Sequence, residues 1–308
     1  MSVTDSLPAP PRLSDDAVAG GATAAIMLVV QLAALWAVAG GDPVSAVDGA
    51  EQTRESSGLP LGLVAVMVVE SLLLVAGYRL YQRLSETWQR RVRRGLVVIV
   101  YLLVAQLAYA LDGVRGVGLA VGSCALLRVA GWLDVDWLVH NAVAVGLAFV
   151  GAVLVGTVFG PRPLAGLLIA LMIWDRIAVT DTNIMESIVT VAASSGLPAY
   201  IMLARAPRLD TDDVEDALVN GGETPGELIG VVGTGDFVFP SALAVSLAIS
   251  GGVWSAPVVG AAVGAVGAAW LLWQLKGDGT APGLPALNGG ALAGAAVGVA
   301  LSTGIGWL

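Results

Sequence analysis

Two aspartates within long apolar stretches are the residues best suited to chemistry in this sequence. Asp175 and Asp236 each lie where an ionised carboxylate is costly, which makes both of them candidates for function. Two carboxylates that face each other in a low-dielectric site cannot both ionise cheaply, so they share a proton. The ionised member can then deprotonate water while the protonated member donates a hydrogen bond to a carbonyl oxygen. The alternative is a hydrogen-bonded acid pair that performs no reaction.

The residues around Asp236 favour the catalytic interpretation. Glycines stand three and one residues before it, in Gly233-Thr234-Gly235-Asp236. They remove side chains beside the carboxylate and predict a locally loose helix that another backbone can approach. Pro240 follows four residues later, removes the hydrogen bond to the Asp236 carbonyl and predicts a kink.

A third element is the sequence Pro285-Ala286-Leu287, which comes shortly after Pro282 and Gly283. These prolines and this glycine predict an irregular helix start whose backbone groups are available for pairing. Backbone of that kind is tolerated at membrane depth only where it lines a cavity or is buried in protein. The alternative is an ordinary helix start that contains proline.

The remaining ionisable and metal-binding side chains predict structural roles. Glu70 is interpreted as a core or helix-pairing group and Arg128 as a side chain that extends to the interface. His140, at the start of a hydrophobic run, is interpreted as structural or interfacial. Because the chain has one histidine and one cysteine, Cys124, disulfides and sites built from several His or Cys ligands are excluded. We expect no metal and no cofactor.

The composition predicts that membrane helices position these residues. Of 308 residues 56% are hydrophobic and 13% are charged, whereas charged residues make up about a quarter of soluble domains. Apolar runs of about 20 residues suit a hydrocarbon core of about 30 Å. We predict an all-α fold of nine transmembrane helices, namely Ala17–Ala39, Leu59–Leu80, Gly95–Leu111, Gly116–Leu133, Leu138–Val158, Pro163–Thr180, Glu227–Ile249, Trp254–Leu275 and Pro282–Gly306. The net charge of −9, with no basic footprint, argues against a nucleic-acid partner.

The distribution of arginines predicts the orientation. The connection between the second and third spans holds a cationic cluster, which the positive-inside rule places in the cytoplasm: Arg83, Arg90, Arg91, Arg93 and Arg94. Nine crossings then put the N-terminus inside and the C-terminus outside, in a multi-pass protein of the cell membrane. Asp175 falls about five residues, or about 8 Å, from the inner end of its span. Asp236 falls about nine residues, or about 14 Å, from the inner end of its span.

Three regions follow from these spans. Residues 1–203 comprise the first six spans and an apolar segment, from Asp181 to Leu203, that predicts an amphipathic or partly embedded helix. Residues 204–226 form a solvated acidic cytoplasmic loop. Residues 227–308 hold the last three spans with Asp236 and the Pro-Ala-Leu sequence.

Together and in this order, the three elements resemble the presenilin and signal peptide peptidase family of GxGD intramembrane aspartyl proteases, specifically its archaeal branch. That family carries Tyr-Asp in its sixth span, Gly-x-Gly-Asp in its seventh and Pro-Ala-Leu at its ninth. The resemblance implies Asp175 and Asp236 as catalytic residues, and as supporting residues Trp174, Gly233, Gly235, Pro285, Ala286 and Leu287. It also implies a presenilin-like fold in the lipid bilayer and substrates that are transmembrane or signal-peptide-like helices.

Two departures from the family pattern bear on activity. Trp174 replaces the family's tyrosine, and Arg176 directly follows the first aspartate. Neighbouring helix positions point about 100° apart, so we expect Arg176 to extend to the cytoplasmic interface. The sequence leaves open a proton-coupled transporter, a prepilin-type peptidase and a non-catalytic scaffold, and it leaves homo-oligomerisation undecided.

Overall fold

A computed structural model describes residues 15–39, 136–180, 200–204, 228–251, 261–267 and 284–305, with isolated positions in 80–92 and 209–226 and at 269. The helices are α1 (Asp15–Ala39), α2 (Asp136–Val158), α3 (Pro161–Thr180), α4 (Gly235–Gly251) and α5 (Leu284–Ile305). The strands are β1 (Tyr200–Ala204) and β2 (Leu228–Gly233). Residues 261–267 are also helical. Apart from Leu80, the predicted second, third and fourth spans lie outside the described residues, and so do Glu70 and Arg128.

Helix α4 is the centre of the described bundle and contacts α1, α2, α3 and α5. Its closest neighbour is α2, because α2 presents small side chains at every fourth position: Ala144, Ala148, Ala152 and Gly156. The three alanines are fully buried. Residues four apart share one face of a helix, and small residues on that face let two backbones approach closely.

The connection between α2 and α3 is short and its polar groups are paired. Phe159 and Gly160 separate the two helices. The Phe159 carbonyl accepts a hydrogen bond of 2.6 Å from the Ser246 hydroxyl of α4. Pro161 begins α3, where a missing backbone N–H costs no helical hydrogen bond. The turn therefore holds α2, α3 and α4 together at one end of the bundle.

The strands form an antiparallel pair that the sequence interpretation missed. Tyr200 pairs with Gly233, Met202 with Val231 and Leu203 with Gly230. The prediction of one helix over Glu227–Ile249 is therefore wrong in its first part, which is strand β2. The helix predicted for Asp181–Leu203 is likewise wrong at Tyr200–Leu203, whereas its earlier residues lie outside the described ones. Apolar runs this short do not distinguish a strand from a buried helix.

Large apolar side chains face outward from the bundle. Trp36 of α1 is 83% exposed, and Ile169 and Ile173 of α3 are more than half exposed. Among the described residues, Val18–Val38 and Trp137–Val158 are long and apolar enough to cross a membrane, and Gly235–Ser250 and Pro285–Leu301 are shorter apolar helices. Apolar outward faces are what hydrocarbon requires of a helix surface.

Candidate active site

Asp175 belongs to the buried face of α3. The apolar residues of that face recur at helical spacing and are all buried: Leu164, Leu167, Leu168 and Leu171. Asp175 follows Leu171 by four residues and continues the same stripe, with only 1% of its surface exposed. A carboxyl group therefore takes the place of a leucine near the C-terminal end of this apolar helix face.

Arg176 and Trp174 lie on other faces of the same helix. Arg176 is exposed while Asp175 is buried, which confirms that the guanidinium departs from the core. Trp174 is half-buried. The position of Arg176 follows from the helical rotation of about 100° per residue. The arginine is thus compatible with a paired acid site beside it.

Asp236 is the second residue of α4, directly after strand β2. The sequence interpretation placed it deep within a longer helix, and this is corrected because Leu228–Gly233 are extended. The Asp236 carboxylate accepts a hydrogen bond from the backbone N–H of Gly233. A carboxylate in the first turn of a helix is also stabilised by the helix dipole and the unpaired N–H groups there.

The two glycines before Asp236 have different surroundings. A Cβ atom on Gly233 would stand 3.3 Å from an Asp236 carboxylate oxygen, whereas a Cβ on Gly235 would meet nothing within 4 Å. Because Gly233 has no side chain, the Asp236 carboxyl group can lie in the space beside it. The predicted loose helix is wrong, since Gly233 ends a strand and Gly235 begins the helix.

The structure brings the two aspartates together. The two residues are close enough to interact, where α3 packs against α4, and Phe237 next to Asp236 is fully buried in the core formed by α2, α3 and α4. Asp236 itself is half-buried. Asp175 is thus enclosed and Asp236 is a partly exposed residue, at the junction of a strand, a central helix and α3.

The Pro-Ala-Leu sequence lies in the first turn of α5, which begins at Leu284. The irregular backbone predicted there is not found at Pro285–Leu287, because a proline in the first helical turn breaks no hydrogen bond. Ala286 and Leu287 are buried. Asn288, fully buried, donates a hydrogen bond of 3.3 Å from its side-chain nitrogen to the Leu168 carbonyl of α3.

Asn141 and Asn288 were not predicted from the sequence, and His140 was predicted only to be structural or interfacial. Asn141 and His140 bind the backbone of β1 from the start of α2. Asn288 joins the first turns of α5 to the helix that carries Asp175. The available signal was a carboxamide within an apolar run, since such a group is costly there unless it has a partner.

The fold and the site define a helical bundle that places an enclosed aspartate beside one at the start of a central helix. The family model described as signal-peptide peptidase, presenilin aspartyl protease matches residues 24–305. The chain therefore belongs to the signal-peptide peptidase and presenilin aspartyl protease family, and it is an intramembrane aspartyl protease.

Solved structures agree with this assignment at the level of the fold. Two structures of a presenilin family intramembrane aspartate protease, from two crystal forms, match with a TM-score of 0.56 and 21% sequence identity. The matches cover 91% of this chain and 98% and 97% of the two solved chains. A search of curated proteins gives no significant match. The family assignment favours the protease over the transporter and the prepilin-type peptidase.

Proposed function

We propose that Asp175 and Asp236 are the catalytic pair and that they hydrolyse peptide bonds of transmembrane or signal-peptide-like helices. The observation that carries this proposal is that α3 packs against α4 with the buried Asp175 close enough to the Asp236 carboxyl group for the two to interact. Two interacting carboxyl groups share a proton, and that is the state which hydrolysis of an amide requires.

The reaction needs only these two side chains, water and the substrate. Asp236 is the more exposed of the two residues, so we place the approach of the attacking water on its side. The ionised aspartate takes a proton from water as the oxygen adds to the scissile carbonyl, and the protonated aspartate donates a hydrogen bond to the carbonyl oxygen. The tetrahedral intermediate then breaks its C–N bond, and the leaving nitrogen takes a proton from the pair. The products are a carboxylic acid and an amine.

The neighbouring strands support a substrate that is extended at the site. A helix hides its backbone carbonyls in its own hydrogen bonds, so the segment to be cut must first unwind. Strand β2 leads directly to Asp236, and no further strand pairs with its second edge among the described residues. An extended peptide added to such an edge gains backbone hydrogen bonds.

The same proposal includes the arrangement in the membrane. We place nine helices across the cell membrane, with the N-terminus in the cytoplasm and the C-terminus outside, because the arginines cluster between the second and third spans. The acidic loop at 204–226 then faces the cytoplasm and separates the regions 1–203 and 227–308. Asp213 is exposed there, in agreement with a solvated loop.

Replacement of either aspartate by asparagine tests the catalytic pair. Asp175→Asn and Asp236→Asn keep the side-chain volume but remove the shared proton, so each is expected to abolish cleavage of a membrane-spanning peptide in liposomes. Product peptides are measured by mass spectrometry. Asp213→Asn, an exposed acid outside the bundle, is the matched control and is expected to retain activity. Wild-type cleavage by either site variant would exclude the pair as the catalytic groups.

A further inference from the structure

One edge of strand β1 is closed by two side chains from the start of α2. The Asn141 carboxamide donates a hydrogen bond of 2.7 Å to the Met202 carbonyl. It also accepts one of 2.8 Å from the Met202 N–H. Two residues earlier on the strand, the Tyr200 carbonyl accepts a hydrogen bond of 3.0 Å from Nε2 of His140. The His140 and Tyr200 rings are in contact, with centroids 4.7 Å apart.

These bonds identify the edge that is closed. In an antiparallel strand the N–H and C=O of one residue point to the same side, and the next residue points to the other. Because Met202 and Tyr200 direct their polar groups to α2, Ile201 and Leu203 direct theirs to β2. Asn141 offers both a donor and an acceptor to one residue, as a neighbouring strand would do. It therefore occupies the place of a third strand.

The same alternation identifies the edge that remains for a substrate. On β2, Val232 and Gly230 lie opposite Ile201 and Leu203 and pair with β1. Val231 and Gly233 consequently direct their backbone groups away from β1, and the Gly233 N–H already binds the Asp236 carboxylate. The edge of β2 that faces away from β1 is thus aligned with a catalytic carboxyl group.

Apolar contacts cover both faces of the hairpin that β1 and β2 form. One face, with Ile201 and Leu203, packs in the helical core. The other face, with Tyr200 and Met202, is covered by the buried Leu209 and Val214 of the acidic loop region. These apolar contacts resist separation but do not specify how far the strand slides along its axis. The directional bonds from Asn141 do specify it.

We propose that Asn141, assisted by His140, is a positioning residue that closes the β1 edge and fixes the register of the β1–β2 pair against α2, so that a substrate strand is confined to the edge of β2. This proposal rests on the proposed function. It assigns Asn141 no contact with the reacting atoms. Its effect passes through Met202 and the β1–β2 pairing to the edge of β2 on which the substrate strand would lie.

The test compares full-length wild type, Asn141→Ala and Asn141→Gln in liposomes with a membrane-spanning peptide. A net hydrogen bond contributes about fivefold to an equilibrium, so Asn141→Ala is expected to raise KM about fivefold or more. We expect kcat to change much less. Mass spectrometry should show cleavage spread over more positions, because a second strand edge is open and the register is unfixed. Asn141→Gln keeps both bonding groups and should lie between wild type and alanine.

Leu138→Ala is the matched control, since Leu138 is half exposed in the same turn of α2 and should leave KM and the cleavage positions unchanged. Hydrogen exchange at the Met202 amide should accelerate in Asn141→Ala and not in the control. Wild-type KM and cleavage positions in Asn141→Ala would overturn the proposal. If Asn141→Ala loses protection throughout α2 and α4, Asn141→Asp decides in its place, because it keeps the acceptor but loses the donor to the Met202 carbonyl: altered cleavage positions support the proposal and wild-type positions overturn it.

The outcome for the wild type separates this proposal from the one on which it rests. A wild type that cleaves no peptide overturns the proposed function, and the positioning role falls with it. A wild type that cleaves, together with Asn141 variants that cleave at the same positions with the same KM, overturns the positioning role alone.

Discussion

At the scale of single residues, the site depends on the space beside each carboxyl group. Asp236 folds back over Gly233 and accepts its N–H, so a side chain at Gly233 would have to displace the carboxylate slightly. Gly235 has open space around it. The two glycines of the motif are thus not equivalent within the protein, although the sequence alone presents them alike.

Gly233→Ala is expected to lower the rate of peptide hydrolysis by about tenfold or more, because small displacements of a catalytic group are costly. Its Cβ would press against the carboxylate at 3.3 Å. Gly235→Ala is the control and should retain most of the wild-type kcat. The measurement is kcat for a membrane-spanning peptide in liposomes, with thermal unfolding to show that both variants fold. Equal losses in the two variants would contradict the distinction between them.

The sequence allowed the position of Asp175 to be predicted but not the setting of Asp236. Leucines at helical spacing before Asp175 identify one face of α3, and the same count puts Arg176 outside it. Residues Leu228–Gly233 read equally well as the start of a helix. They are extended because they pair with Tyr200–Ala204, and a partner so distant in the sequence leaves no periodic signal. The bonds of Asn141 to Met202 were hidden for the same reason, since they join positions 61 residues apart.

At the scale of elements, helix α5 is joined to α3 by one buried hydrogen bond. The Asn288 side chain reaches the Leu168 carbonyl, which lies two turns before Asp175 on the same helix. The bond therefore fixes the position of Pro285–Leu287 along the axis of α3, relative to Asp175. It gives a physical role to the residue that follows the Pro-Ala-Leu sequence.

Asn288→Ala is expected to reduce the free energy of unfolding by about 1–2 kcal/mol, the net value of a buried hydrogen bond with some lost packing. It should also lower peptide cleavage, because the first turn of α5 can then slide against α3. Thermal unfolding in detergent and product analysis measure the two effects. Val297→Ala, at an exposed position on α5, is the control and should change neither. Unchanged stability and activity in Asn288→Ala would show that the bond does not set the helix register.

The close contact between α2 and α4 predicts how glycine substitutions on α2 change the stability of the protein. A Cβ on Gly156 would lie 2.7 Å from the Ala242 carbonyl oxygen and from the Val245 Cβ, whereas a Cβ on Gly146 would meet nothing within 4 Å. Gly156→Ala should therefore destabilise the protein by about 1–3 kcal/mol, the usual cost of overpacking. Gly146→Ala should be neutral or slightly stabilising, because alanine favours helix by up to about 1 kcal/mol. Thermal unfolding of both variants in one detergent decides the comparison.

At the scale of the whole molecule, the exposed side chains indicate which parts of the protein contact lipid and which contact water. Exposed Trp36 and Ile173 suit lipid. Exposed Asp213 and the pairing of Arg91 with the Trp88 ring, at 5.1 Å, suit the aqueous boundary. The two aspartates proposed as catalytic lie at helix ends rather than at helix centres, Asp175 near the end of α3 and Asp236 at the start of α4. In the proposed orientation these helix ends face the cytoplasm, and water reaches the site from that side.

The proposed topology predicts which side of the membrane each reporter cysteine faces. In a Cys124→Ser background, Ser2→Cys and Asp213→Cys should react with a membrane-impermeant maleimide only in inverted vesicles. Leu308→Cys should react in intact cells, because nine crossings put the two termini on opposite sides. Permeabilised cells, in which all three must react, are the control for reactivity. Labelling of Ser2→Cys and Leu308→Cys from the same side would require an even number of crossings. Labelling of Asp213→Cys from outside would place the acidic loop outside the cytoplasm and would contradict the proposed route of water to the aspartates.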